Sequence, residues 1–399
     1  MDFRLERLEP VLKRLGSPQL RLPVVHIAGT NGKGSVAAML ESVWRAAGFH
    51  TGLYTSPHLL SFCERIRLDG KSVLPDDVVD LVARVRVAME AEDVDLTFFE
   101  IATLAALLAM DEAGVDVAVL ETGLGGRLDA TNVCKAKLAT VITSIARDHA
   151  EYLGDDLSAI ATEKAGIFAA GCPAFTGVTD LNVLDVLDEQ ARRAGTTLAA
   201  LGRDFDDAET PAPGLIGEHQ KRNAALVAAV VRELGSLLPV GESDLSAGLA
   251  DARWPGRFER VADEPTVIVD CAHNPAAVDA LVETLEAAAL DAPMALVFSA
   301  MADKEWPAML DRLVPHFSAV VLAPLAMPRA LKPSIAAAYL DGALPVHLAE
   351  SATAALARAR RLVGAAGTIV VAGSIFLVAE VYADATGTTE LFKEPDLAA

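Results

Sequence analysis

Short apolar runs alternating with stretches of helical period constrain this chain more than any other feature. LPVVHIAG (22–29) is apolar on both faces, and SVAAMLESVWRAAG (35–48) follows it with helical spacing. TGLYTS (51–56), DVAVLETG (116–123) and LATVITSI (138–145) are further doubly apolar runs. EIATLAALLAMDEAG (100–114) reads as a deeply packed helix, apolar nearly all round. A strand apolar on both faces has to be covered on both, and interleaved helices supply the covers. The chain therefore reads as α/β with a parallel sheet.

The alternation fails once. GRDFDDAETPAPGLIG (202–217) is polar and rich in Pro and Gly, and reads as an irregular loop or weak hairpin; EHQKRNAALVAAVVRELG (218–235) is then a helix. RWPGRFERVADEPT (253–266) carries Pro255, Gly256 and Pro265 and reads as a boundary near 260. Beyond it, TVIVDCA, MALVFSA, AVVLAPL, PVHLAE and TIVVAGS read as strands between helices. The expectation is two domains, 1–258 and 259–399: a P-loop-type parallel-sheet domain and a smaller Rossmann-like α/β domain. The second lacks G-x-G-x-x-G after its first strand, so no dinucleotide site is expected.

The net charge of −21 argues against broad binding to nucleic acid or anionic membrane. No apolar run reaches the roughly 18 residues that span a bilayer, and the N-terminus has no apolar signal core. A cytoplasmic location is expected. Cys63, Cys134, Cys172 and Cys271 form no C-x-x-C pair and read as reduced thiols.

GTNGKGS (29–35) sits between a strand and a helix. The generic phosphate loop places Lys directly before Ser or Thr, and a glycine five residues before the Gly-Lys pair. Here Gly34 separates Lys33 from Ser35, and position 27 is Ile27. The context is still that of an anion site, because backbone N–H groups at a helix start have no partner within the helix. Gly29, Gly32 and Gly34 permit a tight path. Asn31, Gly32, Lys33, Gly34 and Ser35 are expected to bind ATP, with Lys33 neutralising phosphates and Ser35 supplying a hydroxyl. An ordinary glycine-rich turn explains the glycines without the Lys and Ser.

The Lys-Gly-Ser spacing resembles the folylpolyglutamate synthase/dihydrofolate synthase family, a branch of the ATP-dependent Mur-type ligases. YTSPHL (54–59), ERIRLDG (64–70), ETGLGGRLDATN (121–132), ITSIARDH…YLG (142–154) and IATEKAGIF (160–168) resemble its segments in order. HQKRNAAL, PGRFE and DCAHNP complete the set. The resemblance implies an ADP-forming ligase. It adds L-glutamate to dihydropteroate, to tetrahydrofolate, or to both, through an acyl phosphate.

Glu121 ends one strand and His149 follows another, at the carboxyl edge where α/β sites form. A carboxylate there suits Mg²⁺; the assignment of His149 and Ser56 as further ligands comes from the resemblance. The resemblance also implies a carbamylated Lys164 helping to hold a second Mg²⁺. Lys33, His149 and Lys164 are thus the implied catalytic groups. Asn223, Arg257, Asp270 and His273 match nucleotide contacts, which implies closure of the two domains around ATP. Thr97, Phe98, Phe99 and Glu100, with Leu128, Asp129 and Ala130, match pterin contacts. Phe98 and Phe99 can stack on a flat heterocycle, although adjacent Phe residues more often fill a core.

Departures from the family pattern are Cys271 for Gly, Ala169 for Lys, Leu157 for Thr and Arg4 for Gly; they leave substrate range open. Three alternatives stay open: a monofunctional folylpolyglutamate synthase, a cell-wall Mur-type ligase and a P-loop nucleotide switch. The cell-wall ligases carry a further N-terminal domain, and here about 22 residues precede the first strand. The expected partners are small molecules: folate or pteroate, L-glutamate and ATP. Neither nucleic acid nor membrane is expected, and the chain is expected to act as a monomer.

Overall fold

The computed structural model describes residues 5–148, 154 and 156–387. Two compact units result. Of the described residues, the first contains those up to Gly214 and Gln220–Arg253; the second contains Leu215–His219 and 254–387.

The first unit holds β1 (Val24–Ala28), β2 (Thr51–Tyr54), β3 (Ile66–Leu68), β4 (Lys71–Ser72), β5 (Val117–Glu121), β6 (Lys137–Ile142), β7 (Ala174–Thr176) and β8 (Leu198–Ala200). They form one sheet in the order β4-β3-β2-β5-β1-β6-β7-β8. Every pairing from β2 to β8 across this order is parallel, whereas β3 and β4 add an antiparallel edge. Strands β1, β2 and β5 are buried at every residue, as their doubly apolar runs require.

The connections determine where a site can form. The helix Lys33–Ala46 leads from β1 to β2 on one side, and the chain from β5 crosses β1 to reach β6 on the other. Strand β1 therefore lies at a switch point, where α/β sheets open a crevice at their carboxyl edge. Register sets Ile27 beside Glu121 and Ala28 beside Ile142, so three strand ends emerge together.

The helix Phe98–Ala113 is buried continuously from Glu100 to Met110. Leu104 in that helix and Tyr54, Phe62 and Leu12 share one core. The segment 202–217 is irregular apart from one bridge, Leu201 to Phe205.

In the second unit the sheet order is β13-β12-β11-β14-β10-β9. Its strands are β9 (Glu259–Asp263), β10 (Thr266–Val269), β11 (Met294–Phe298), β12 (Ala319–Leu322), β13 (Val346–Leu348) and β14 (Thr368–Ala372). All pair in parallel except β9, which turns back on β10. The run ERVAD, within the stretch that reads as a boundary, is β9. An edge strand with one neighbour needs no apolar face, so hydropathy does not mark it. Among the described residues, no helix is long and apolar enough to cross a membrane.

Leu104→Ala should destabilise the first unit by about 2–5 kcal/mol, because the surrounding helix and sheet close poorly over the lost volume. Urea unfolding followed by circular dichroism checks this. A loss under about 1 kcal/mol would mean the site relaxes freely.

Candidate active site

The loop 29–35 is fastened to the chain leaving β6. Thr30 N–H donates to Ser144 O (2.8 Å), and Asn31 N–H donates to Ser144 Oγ (2.9 Å). Thr143 Oγ1 and Ser144 Oγ in turn donate to Asn31 O at 2.7 and 3.0 Å. This closeness is why Gly29 has no side chain: with φ +150°, a Cβ there would fall 1.9 Å from Thr143 Oγ1. Gly32 has φ +86° and starts the helix Lys33–Ala46. That left-handed residue is accessible to glycine at little cost.

Lys33 folds back over its loop. Its Nζ donates to Gly29 O (3.1 Å) and Thr30 O (3.2 Å) and stands 3.9 Å from Glu121 Oε1. Lys164, on the helix Leu157–Ala165, donates to the same Gly29 carbonyl at 2.8 Å. Burial, and then the Lys33 charge, push the Lys164 amine down to about 7, against the opposing pull of Asp148, Asp129 and Glu163. Two amines thus converge on one oxygen beside the carboxylate that ends β5.

Ser35 is buried at the start of its helix and accepts from Gln220 Nε2 at 3.3 Å; Asn223 Nδ2 donates to Gln220 Oε1 at 3.0 Å. A Cβ at Gly32 would lie 3.1 Å from Asn223 Oδ1, so Asn223 abuts the loop as well. Sequence reading passed over Gln220. Its spacing of three from Asn223, at a helix start, was the available signal.

Glu121 is buried and accepts from the Ser56 backbone N–H at 3.3 Å. This brings together two of the three residues expected to hold metal. The third, His149, lies outside the described residues. Among the described residues no three His, Cys, Asp or Glu side chains gather as a ready metal centre. The Glu121 carboxylate and the Ser35 and Ser56 hydroxyls are hard oxygen donors. They fit a divalent cation that completes its shell with water and phosphate.

Asp129 is spent on its own loop. Its carboxylate accepts from Gly123 N–H (2.8 Å), Leu124 N–H (2.9 Å), Thr131 N–H (3.0 Å) and Thr131 Oγ1 (2.5 Å). Burial pushes its pKa up, and these bonds oppose the shift. Leu128 and Ala130 flank it, half-buried and buried. Thr97 and Glu100 likewise form a capping box at the start of Phe98–Ala113, with Arg7 paired to Glu100. Phe99 lies 6.1 Å from Tyr54 and covers Gly123, where a Cβ would meet its Cζ at 2.5 Å. Phe98 stands edge-on to Phe62 at 5.8 Å, and the Arg65 guanidinium sits 5.1 Å from the Phe98 centroid and 5.6 Å from that of Phe62. Arg65 also donates to His58 Nδ1 at 2.9 Å; burial, then Arg65, push the His58 pKa to about 4. Arg65 and His58 lie in quoted motifs, but nothing in their spacing revealed the aromatic pair around them.

In the second unit Asp270 follows β10 and fixes the turn there. Phe258 N–H and Ala272 N–H each donate to it at 2.8 Å. His273 Nδ1 lies 2.8 Å from Cys271 O, and Arg257 Nη1 donates to Gly256 O at 3.2 Å. Asn274 caps the helix Pro275–Ala287 through Ala277 N–H at 2.9 Å, with Pro275 in the first turn.

Residues 27–204 match the Mur ligase middle domain, and residues 256–375 match the Mur ligase glutamate ligase domain. The chain is 36% identical over 392 residues to the dihydrofolate synthase/folylpolyglutamate synthase of Escherichia coli, covering 96% of this chain and 91% of that one. To the Bacillus subtilis protein of the same name it is 37% identical over 353 residues, 82% of each chain. Among solved structures it is similar to Escherichia coli FolC in complex with DHPP and ADP. That match has a TM-score of 0.90 at 34% identity, covering 98% of this chain and 95% of that one. It is also similar to a bifunctional folylpolyglutamate synthase/dihydrofolate synthase with Mn, AMPPNP and L-glutamate bound. There the TM-score is 0.86 at 33% identity, covering 96% and 94%.

The Lys164 amine gives the fold a pH dependence of known sign. Its folded pKa, about 7, is below the ordinary 10.5, so across that window the unfolded chain holds more protons. Stability should rise as pH increases through the window, and the full cost should remain below it. In CO₂-free buffer without nucleotide, Lys164→Met should flatten this rise in melting temperature. An unchanged slope would show that the amine keeps its ordinary basicity.

Proposed function

The chain belongs to the Mur ligase family, in its folylpolyglutamate synthase/dihydrofolate synthase branch, and from that premise we propose how its residues work. It is an ATP-dependent, ADP-forming glutamate ligase. Our reading assigns ATP and folate to the domain 1–258 and glutamate ligation to the domain 259–399. In this reading the protein acts in the cytoplasm, and as a monomer because one chain supplies every group the reading uses.

The observation that carries the mechanism is the convergence of Lys33 and Lys164 on Gly29 O beside Glu121. The Lys33 charge favours phosphate at the loop, while the Lys164 amine, pushed toward neutrality beside it, is open to modification. The loop N–H groups of 31–35 receive the phosphates of ATP. Lys33 leaves its loop carbonyls for the β/γ-phosphate oxygens, and Ser35 adds its hydroxyl. The folate carboxylate then attacks the γ-phosphorus in line, so an O–P bond forms as the bond to ADP breaks. The amine of glutamate attacks the acyl carbon of this mixed anhydride; the amide bond forms, the amine loses a proton and phosphate leaves. Asn223 holds the nucleotide side of the loop, while Arg257, Asp270 and His273 supply nucleotide contacts from the second domain. Mg²⁺ at Ser56, Glu121 and His149, and a second ion at carbamylated Lys164, would offset charge repulsion between phosphate and carboxylate.

The lowered basicity of Lys164 supports the carbamate. An amine with a pKa of about 7 carries a free lone pair in much of the protein at neutral pH. Its nitrogen can bond to the carbon of CO₂, with release of a proton. For the acceptor, the half-buried rings of Phe98 and Phe99 offer apolar surface to a flat pterin. The Thr97–Glu100 capping box fixes these rings, and Leu128–Ala130 lie on the neighbouring loop. We favour turnover of both dihydropteroate and tetrahydrofolate, supported by the names of the relatives.

ADP release with Mg-ATP and glutamate, with products identified by mass, tests the assignment. Turnover with both acceptors is expected; turnover with tetrahydrofolate alone would leave a chain-extending synthase, and none with either would refute the folate reading. Lys33→Ala should lower kcat by about 100-fold or more, as expected for a group facing transition-state charge. With ¹³C-bicarbonate, a carbamate resonance should be present in the parent and absent in Lys164→Ala. Its absence from both would remove the modification from the mechanism.

A further inference from the structure

His26 is a polar residue inside an otherwise apolar strand, VVHIA, directly before the phosphate loop. It is fully buried. Its Nε2 lies 2.7 Å from Thr131 Oγ1, which lies 2.5 Å from Asp129 Oδ1. The directions of these bonds follow from Asp129. That side chain already receives three backbone N–H groups, from Gly123, Leu124 and Thr131, which suits a carboxylate rather than a protonated acid. The Thr131 hydroxyl therefore donates to Asp129, and its lone pair receives the N–H of His26 Nε2. Burial holds the ring well below its usual pKa, hence neutral with one N–H. That proton being on Nε2, Nδ1 is bare, and Nδ1 indeed has no hydrogen-bond partner. Across the sheet, Thr140 is paired in register with His26, and its Oγ1 is likewise unsatisfied.

A leucine at position 26 would avoid the cost of burying an imidazole with one unsatisfied nitrogen. What the imidazole does instead is fix a loop. Asp129 holds the N–H groups of Gly123 and Leu124, immediately beyond Glu121. Further along, the loop runs against the helix of Lys164, where a Cβ on Gly126 would fall 2.7 Å from Lys164 O.

We propose that His26 is a positioning residue for the ligase reaction: its Nε2–H, relayed through Thr131 and Asp129, holds the loop 123–131 that spaces Glu121 and Lys164 around the phosphate loop. The inference rests on the functional reading above. Without the imidazole donor, the buried Thr131 oxygen is left without its donor, its bond to Asp129 weakens, and the loop that Asp129 holds loosens between Glu121 and Lys164.

The test compares His26→Leu, Thr131→Val, their double variant, His26→Gln and Thr131→Ser with the parent. Glutamine keeps an N–H donor near the Nε2 position, and serine keeps the hydroxyl. Steady-state ADP release gives kcat and KM, and hydrogen exchange by mass spectrometry follows the peptide 122–134. His26→Leu and Thr131→Val should each lower kcat by about 10–100-fold with little change in the KM for ATP, the scale seen when a supporting hydrogen bond behind a reactive group is lost. The double variant should be no worse than the more affected single one. His26→Gln and Thr131→Ser should recover most of the activity, and the peptide should exchange faster in the two apolar variants. Parental kcat in folded His26→Leu, additive losses, or unchanged exchange would overturn the proposal. If His26→Leu does not fold, Thr131→Val decides by the same criteria. A parent without turnover would refute the ligase reading instead, and the inference resting on it would fall with that reading.

Discussion

One carbonyl oxygen, that of Gly29, receives the amines of both Lys33 and Lys164. Much of the first unit exists to make that meeting possible. Two amines on one acceptor repel each other, and burial removes the water that would screen them. The conflict is relieved partly by moving the Lys164 amine toward neutrality and partly by carboxylates nearby, Glu121 standing 3.9 Å from Lys33. The cluster therefore leaves two amines and a carboxylate sharing one largely buried carboxyl edge.

The cluster is possible because glycine allows three chain segments to approach more closely than side chains permit. Gly29 sits against Thr143, Gly123 lies under Phe99, and Gly126 lies against the backbone of Lys164. Each contact joins a different strand end or loop to the same carboxyl edge. The polar groups that must be buried there are satisfied inside the loop itself, chiefly by Asp129 with its four donors. The loops are therefore held by hydrogen bonds between side chains and backbone as well as by close packing.

Several residues expected to touch ligands turn out to have structural work as well. Thr97 and Glu100 cap a helix, and Asp270 closes a turn at the end of β10. The T-x-x-E spacing signalled that cap, but a motif resemblance and a capping box use the same letters, so the sequence could not separate the two. Gln220, Arg65 and His26 show the opposite failure. Gln220 meets Ser35 across 185 positions of sequence, and His26 meets Thr131 across 105. Such partners become visible only when the topology sets distant segments side by side. Strand β9 is illegible for another reason: it is an edge, and its half-buried and exposed residues follow no regular alternation.

Hydropathy alone determined the class of fold. Runs apolar on both faces require a covered parallel sheet, and glycines beside a lysine and a serine at a strand-to-helix junction suit a tight loop with unpaired backbone N–H groups. These are local consequences of burial and backbone freedom, so they can be read from neighbouring residues. The order β2-β5-β1-β6 could not be read in that way, because it depends on which crossover passes over which strand. That order alone places Glu121 beside Ile27 and brings Lys164 to Gly29. Amine basicity, the direction of a buried hydroxyl and the separation of two cations all depend on distances between segments remote in sequence, and the tertiary structure sets those distances.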